Sequence, residues 1–377
     1  MITATEQLMS FCFPEVHPNA RLRVSLHRTL RVPDDGKDYP LPAGLGQFPV
    51  RHTDDYAGRV PESWQRHGGI IVPMYQAEAM WLRFEAQHID RRGVYPFVIK
   101  VATGKINAVS GETWKAEPGR TPQDYVVAPP QKWLDGYSVG KDVVRQFVAM
   151  PLGKGYTVEE QVTGKAEFGG VQIQVYPMKR EAFEKRFPEI VPVERQEPRP
   201  RMPKPKSEKK TELPDNDSSD GSTAPFSIAH SGNYSFSLSG DLDRKKFFEM
   251  GLAPGGRIQQ QIIEDPYQLH DWDLTHTSRC FVHLCNSDQW QAVTHEPPPT
   301  TPVTADAYQK AGIPWYSHYE EKVRTTRGSA ILSAMETVTD WAKSIRSRPP
   351  KGNKTIADTP TIDLVKKKTN EVRDSEW

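Results

Sequence analysis

The residues best placed to do chemistry lie between positions 264 and 286, in EDPYQLHDWDLTHTSRCFVHLCN. His270, Asp271, Asp273 and His276 fall within seven residues of one another on a turn-rich stretch. Imidazole nitrogens and carboxylate oxygens are ligands for zinc or iron, so these four side chains are candidate metal ligands. The cysteines that follow, Cys280 and Cys285, are five positions apart in a run that reads as a strand. A regular strand sends residues at odd separation to opposite faces, so both thiolates cannot reach one ion. Buried packing is the plainer role for them, as a polar surface loop is for the four candidate ligands.

Other catalytic arrangements are missing from the sequence. It contains no GxSxG and no HExxH motif. Ser110 precedes Gly111, but no glycine stands before it at the spacing of a nucleophile elbow. The glycine-rich GLAPGGR at 251–257 lacks the GxxxxGK[ST] pattern. It reads as a helix C-cap and tight turn, because DLDRKKFFEMG before it has the composition of a short helix ending at Gly251. A phosphate cradle needs the reverse order, a strand and then a helix N-terminus.

Recognition chemistry is better represented. Trp315, Tyr316 and Tyr319 crowd the proline-led segment PWYSHYEE, and aromatic residues of this kind anchor partners or plug their own domain. Beyond them, Ser329 to Ile345 reads as one amphipathic helix. Ile331, Met335, Val338, Ala342 and Ile345 form its apolar stripe, with Leu332 and Trp341 beside it. A helix of this length is marginal alone in water, so it must dock. Its own domains, another copy of the chain and another protein are the three possible docks, and the expectation is docking on another copy or another protein. The leading function is therefore a non-enzymatic interaction or scaffold protein that self-associates and needs no cofactor. The alternative is a metal-dependent, hydrolase-like enzyme built on residues 265–285 with zinc or iron.

The elements that must position these residues are short strands. Leu22, Val24 and Leu26 alternate with basic neighbours, and Val171, Ile173 and Val175 alternate with Gln172 and Gln174. RCFVHLCN reads as a buried strand, and YSFSL at 234–238 as another. MYQAEAMWLRFEA at 74–86 has helical composition. Proline, 33 of 377 residues, excludes a long helical bundle. It concentrates with charge in 188–224, which has too little to bury to offset ordering and contains the PxxP-type stretch PRMP at 200–203. The expected fold is mainly β with some α. Two β-rich modules, sandwich or barrel-like, span 1–187 and 225–320, joined by the Pro-rich linker 188–224. A tail, 321–377, carries the helix and is polar and disordered beyond Arg346.

Forty-nine basic against 48 acidic residues give a net charge of +1, which argues against nucleic acid as a partner. No apolar run reaches the length of a membrane span, no secretory signal is legible, and three cysteines are too few for a disulfide framework. The expected location is cytoplasmic. Several longer blocks, among them FPVRHTDDYAGRVPESWQRHGGIIVPMYQAEAMWL, KVATGKINAVSGETW, PQKWLDGY, VRQFVAMPLGKGYTVEEQVTG and MGLAPGGRIQQQIIEDPY, together resemble a family of uncharacterised microbial proteins. The resemblance covers about 44–178 and 240–320 and implies no activity, cofactor or site residue.

Overall fold

The computed structural model describes residues 1–189, 249–350, 356 and 360–365. The described chain is mainly β, as expected. The frame of its main sheet consists of β1 (Leu8–Cys12), β2 (Arg21–Thr29), β3 (Ile70–Met74), β4 (Ala79–Ala86), β5 (Phe97–Thr103), β6 (Val143–Pro151), β7 (Val171–Pro177), β8 (Glu249–Gln259) and β9 (Ser278–Asn286). Pairing runs β1–β2–β4–β6–β8–β9–β7–β5, all antiparallel, with β3 parallel on the far edge of β9. Short strands extend this to a 17-stranded sheet.

The sequence period explains the core. Leu22, Val24 and Leu26 of β2 point inward with no residual exposure, while Arg21 and Arg23 stay outside. On β7 the alternation is present but the polar face is covered too. Gln172 Nε2 donates to Gly104 O at 2.6 Å and Gln174 Nε2 to Thr277 Oγ1 at 3.1 Å. Those bonds tie the loops at Gly104 and Thr277 to the sheet.

Several expectations are corrected. Residues 74–86 are not helical. Met80, Leu82 and Phe84 turn inward between Trp81, Arg83 and Glu85, and β4 pairs with β2 over its whole length. Period two wins over composition because β2 pairs with one edge along the whole strand, while Trp133–Leu134 and β6 take up part of the other. The GLAPGGR stretch is not a cap and turn but the middle of β8. Its glycines serve close approach: a Cβ on Gly256 would lie 2.2 Å from Pro33 O, and one on Gly255 2.5 Å from a Val148 methyl. The segments on either side of the linker do not build separate sheets. β8 lies between β6 and β9, pairing with β6 from Val143↔Gln259 to Pro151↔Met250, and one compact unit takes in both segments.

The single helix expected over 329–345 is two, α1 (Ala330–Ser333) and α2 (Val338–Ser344). Ser329 caps the first through Leu332 N and Thr337 the second through Asp340 N. Between them the backbone is captured by side chains. Arg145 donates to Met335 O, and Gln161 both donates to Glu336 O and accepts from Glu336 N. All but the first two residues of the expected linker 188–224, its PxxP stretch, the strand at 234–238 and most of the helix before Gly251 lie outside the described residues.

Candidate interaction surface

The eight residues nominated for recognition separate by burial. Trp315 is enclosed, its ring 6.2 Å from Tyr39 and 5.6 Å from Tyr308. Tyr308 anchors this corner, accepting from Ala43 N and donating to Pro314 O, both at 2.8 Å. Tyr316 and Met335 are half-buried against the core. Val338 is buried with Ala342 in a small cluster over β6 and β8 that includes Val148, Met150 and Ala253, and Trp341 packs on it. The Trp341 indole donates to Lys154 O at 3.0 Å. Gly155 makes that approach feasible, since its Cβ would stand 2.2 Å from the indole. Only Tyr319, Ile331 and Ile345 remain exposed. Much of the stripe is therefore covered by the chain's own sheet.

A second, three-stranded sheet lies in the same region. β10 (Trp315–Ser317) pairs antiparallel with Leu41–Pro42 and parallel with β11 (Thr361–Asp363). The tail beyond Arg346, expected to be polar and disordered, supplies this strand. Trp315 N donates to Pro360 O at 3.1 Å and Leu364 N to Ser317 O at 2.8 Å. β11 is the outer strand, and Ile362, Leu364 and Val365 on and beside it are exposed. The alternation of Ile362 and Leu364 was the available signal for it, obscured by the lysines that follow. Electrostatics here are mild. Burial lowers the His318 pKa against an opposing effect of Glu320, and the ring lies 4.9 Å from Trp133. Burial, helped by a 2.7 Å hydrogen bond to Asp35, pushes the Tyr39 hydroxyl up to about 12.

The four candidate metal ligands are not gathered. The His270 ring projects into solvent. Asp271 accepts from Arg186 at 2.6 Å and from Gln268 N at 3.0 Å. Burial would raise its carboxyl, but those donors outweigh burial and hold it below the ordinary range. Asp273 is bonded instead to His276 Nδ1 at 2.9 Å and to the Thr275 and His276 amides, with the same net lowering. Cys280 and Cys285 sit in different cores on opposite faces of β9, with thiols pushed up to about 12 by burial. His283, between them, bonds Gly68 O at 2.8 Å. Among the described residues no three His, Cys, Asp or Glu side chains are grouped as a metal site requires.

Two polar arrangements escaped the sequence reading. Ser25 Oγ and His27 Nε2 are 2.9 Å apart on one face of β2, with His27 stacked 4.2 Å from Trp81. Burial lowers His27 to about 4, so the ring is neutral at pH 7. Asp135 is buried against Gln260, 125 positions away in sequence. Both are satisfied locally. Asp265 is likewise a structural hub, accepting from Tyr125 at 2.7 Å and the Trp272 indole at 2.9 Å. No helix among the described residues is long and apolar enough to cross a membrane. Compared with known proteins, the chain matches no family model, no curated protein and no solved structure.

Proposed function

We propose that the chain is a non-enzymatic interaction protein that associates with further copies of itself. The observation behind this reading is the distribution of exposed large apolar side chains. Of the ten among the described residues, six (Tyr319, Ile331, Ile345, Ile362, Leu364 and Val365) lie beyond residue 318. Scattered apolar residues on a surface need no explanation; among these six, Ile362, Leu364 and Val365 adjoin one another on and beside an outer strand, and such a group supports an interaction surface there. The net charge of +1 adds little long-range repulsion between copies. The metal-dependent alternative has no comparable support, since its candidate ligands are each engaged elsewhere or solvated.

Sedimentation velocity of the full chain over a hundredfold range of concentration tests the reading. A weight-average mass that rises above that of one chain supports it. A single-chain mass at every concentration overturns it.

A further inference from the structure

Residues 296–304, EPPPTTPVT, run from the helix Ser287–Thr294 to the helix Ala305–Lys310 in neither helix nor strand. Their burial repeats every third position. Glu296, Pro299 and Pro302 are half-buried and Ala305 is buried, while the two residues in each interval are exposed. A period of three is that of a polyproline II helix, which prolines favour and which makes no hydrogen bonds of its own. The protein beneath supplies them. The Tyr75 hydroxyl donates to Pro299 O at 2.8 Å, and Arg28 donates to Thr300 O at 2.6 Å and to Thr300 Oγ1 at 2.9 Å. At the acidic end Arg51 holds Glu296 with both arms, Nε to Oε1 at 3.0 Å and Nη2 to Oε2 at 2.6 Å. Buried Glu78 fixes this face from below, accepting from Arg28 Nε at 2.6 Å and from Tyr75 N at 2.8 Å.

These are the parts of a peptide-recognition site working within one chain: a fork for a carboxylate, then a hydroxyl and a guanidinium for main-chain carbonyls, under a helix that presents every third residue. The pattern so held is Glu-Pro-x-Pro-x-x-Pro. It occurs twice in the sequence, as EPPPTTP at 296–302 and as EPRPRMP at 197–203, the second outside the described residues. We infer that the face formed by Arg51, Tyr75 and Arg28 is a docking site for this pattern, filled in cis by 296–302, and that residues 197–203 of a second copy are its ligand in trans. Such docking is a mode of the self-association proposed above, and the choice of a second copy rests on that reading. In the matching register Glu197 meets Arg51, Pro200 O meets Tyr75 and Arg201 O meets Arg28. Arg199 and Arg201 take the positions of Pro298 and Thr300, both of which are exposed. The two ligands are not equal. Arg201 brings no hydroxyl to Arg28 and sets a like charge beside it, so the cis segment holds the site at rest.

The test adds a fluorescent peptide with the sequence of residues 194–206 to the full chain and reads its anisotropy. Glu296→Ala frees Arg51 from the cis segment and should tighten peptide binding about tenfold. That gain should vanish when Arg51→Ala is added to the chain, or when the peptide carries Glu197→Ala. Arg201→Thr in the peptide restores the hydroxyl and removes the like charge, so it should tighten binding further. Glu296 and Arg51 are partly exposed side chains, and the peptide substitutions leave the protein untouched. In sedimentation of the full chain, Glu296→Ala should strengthen association and Glu197→Ala should weaken it about tenfold. A peptide that fails to bind the Glu296→Ala chain, or binds it equally well with Glu197→Ala, overturns the site and leaves self-association intact. Peptide binding with association unmoved by Glu197→Ala overturns the second copy as the source of the ligand. A chain that is monomeric at every concentration overturns self-association, and the peptide alone then decides the site.

Discussion

Asp135 offers the sharpest test of how the interior is built. Its Oδ2 accepts from Gln260 Nε2 at 2.5 Å and its N–H donates to Gln260 Oε1 at 3.0 Å, in a site where 5% of the residue's surface remains. Burial pushes the carboxyl up to about 7 from 3.8, and the Gln260 hydrogen bond only partly opposes the rise. A raised pKa means that the folded chain holds a proton which the unfolded chain releases. The stability contributed is fully present below about 3.8 and is lost as pH rises to about 7. At about 1.4 kcal/mol per pH unit over about 3 units, the loss amounts to about 4 kcal/mol. Asp135→Asn keeps an acceptor for Gln260 and cannot ionise, so it removes the dependence. Urea unfolding of both chains at pH 5, 6, 7 and 8 measures the difference. The variant's stability relative to the parent should rise by roughly 1.4 kcal/mol per unit and level off above pH 7. How well the added N–H₂ is accommodated sets the offset, not the slope. A difference that is flat with pH would refute the assignment of a buried, proton-holding carboxyl.

Other expectations follow from packing. Leu332→Ala removes a side chain with 1% exposure and should cost about 2 to 5 kcal/mol in chemical denaturation. Gly256→Ala drives a methyl into Pro33 O and should cost about 1 to 3 kcal/mol, visible as a lower unfolding midpoint. Residues 1–189 produced alone should lack a cooperative unfolding transition and recover it when 244–377 is supplied, because β6 loses its β8 partner; independent folding would refute the shared sheet. Chelators should leave the unfolding transition of the purified chain where it is, since the candidate ligands make their bonds within the protein.

How much of this was legible depended on whether a signal was local. β2, β7 and β9 could be read because their alternation or apolar run is complete within seven to nine residues. β4 carried the same period two in Met80, Leu82 and Phe84. An equally plausible helical face through Met74, Ala77, Trp81 and Phe84 competed with it, and only pairing with β2 decides between them. β8 was hidden by glycines whose purpose lies in β6 and in Pro33, more than a hundred residues away in sequence. No local rule distinguishes a glycine that turns the chain from one that lets another strand approach.

The candidate surface follows the same logic. That the C-terminal part is rich in apolar side chains is plain from its composition, but which of them face water was set by where the helix stops. The caps at Ser329 and Thr337 are local and readable, whereas Arg145 and Gln161, which hold the intervening backbone, come from the main sheet. Once the helix divides, Val338 and Ala342 fall inward and Ile331 and Ile345 outward, so a stripe drawn through all of them no longer describes one face. The apolar row that ends at Ile362 is assembled from Leu41, Tyr316 and the tail, the first of them 275 positions before the second. A surface composed in that way exists only after folding has brought its rows into register.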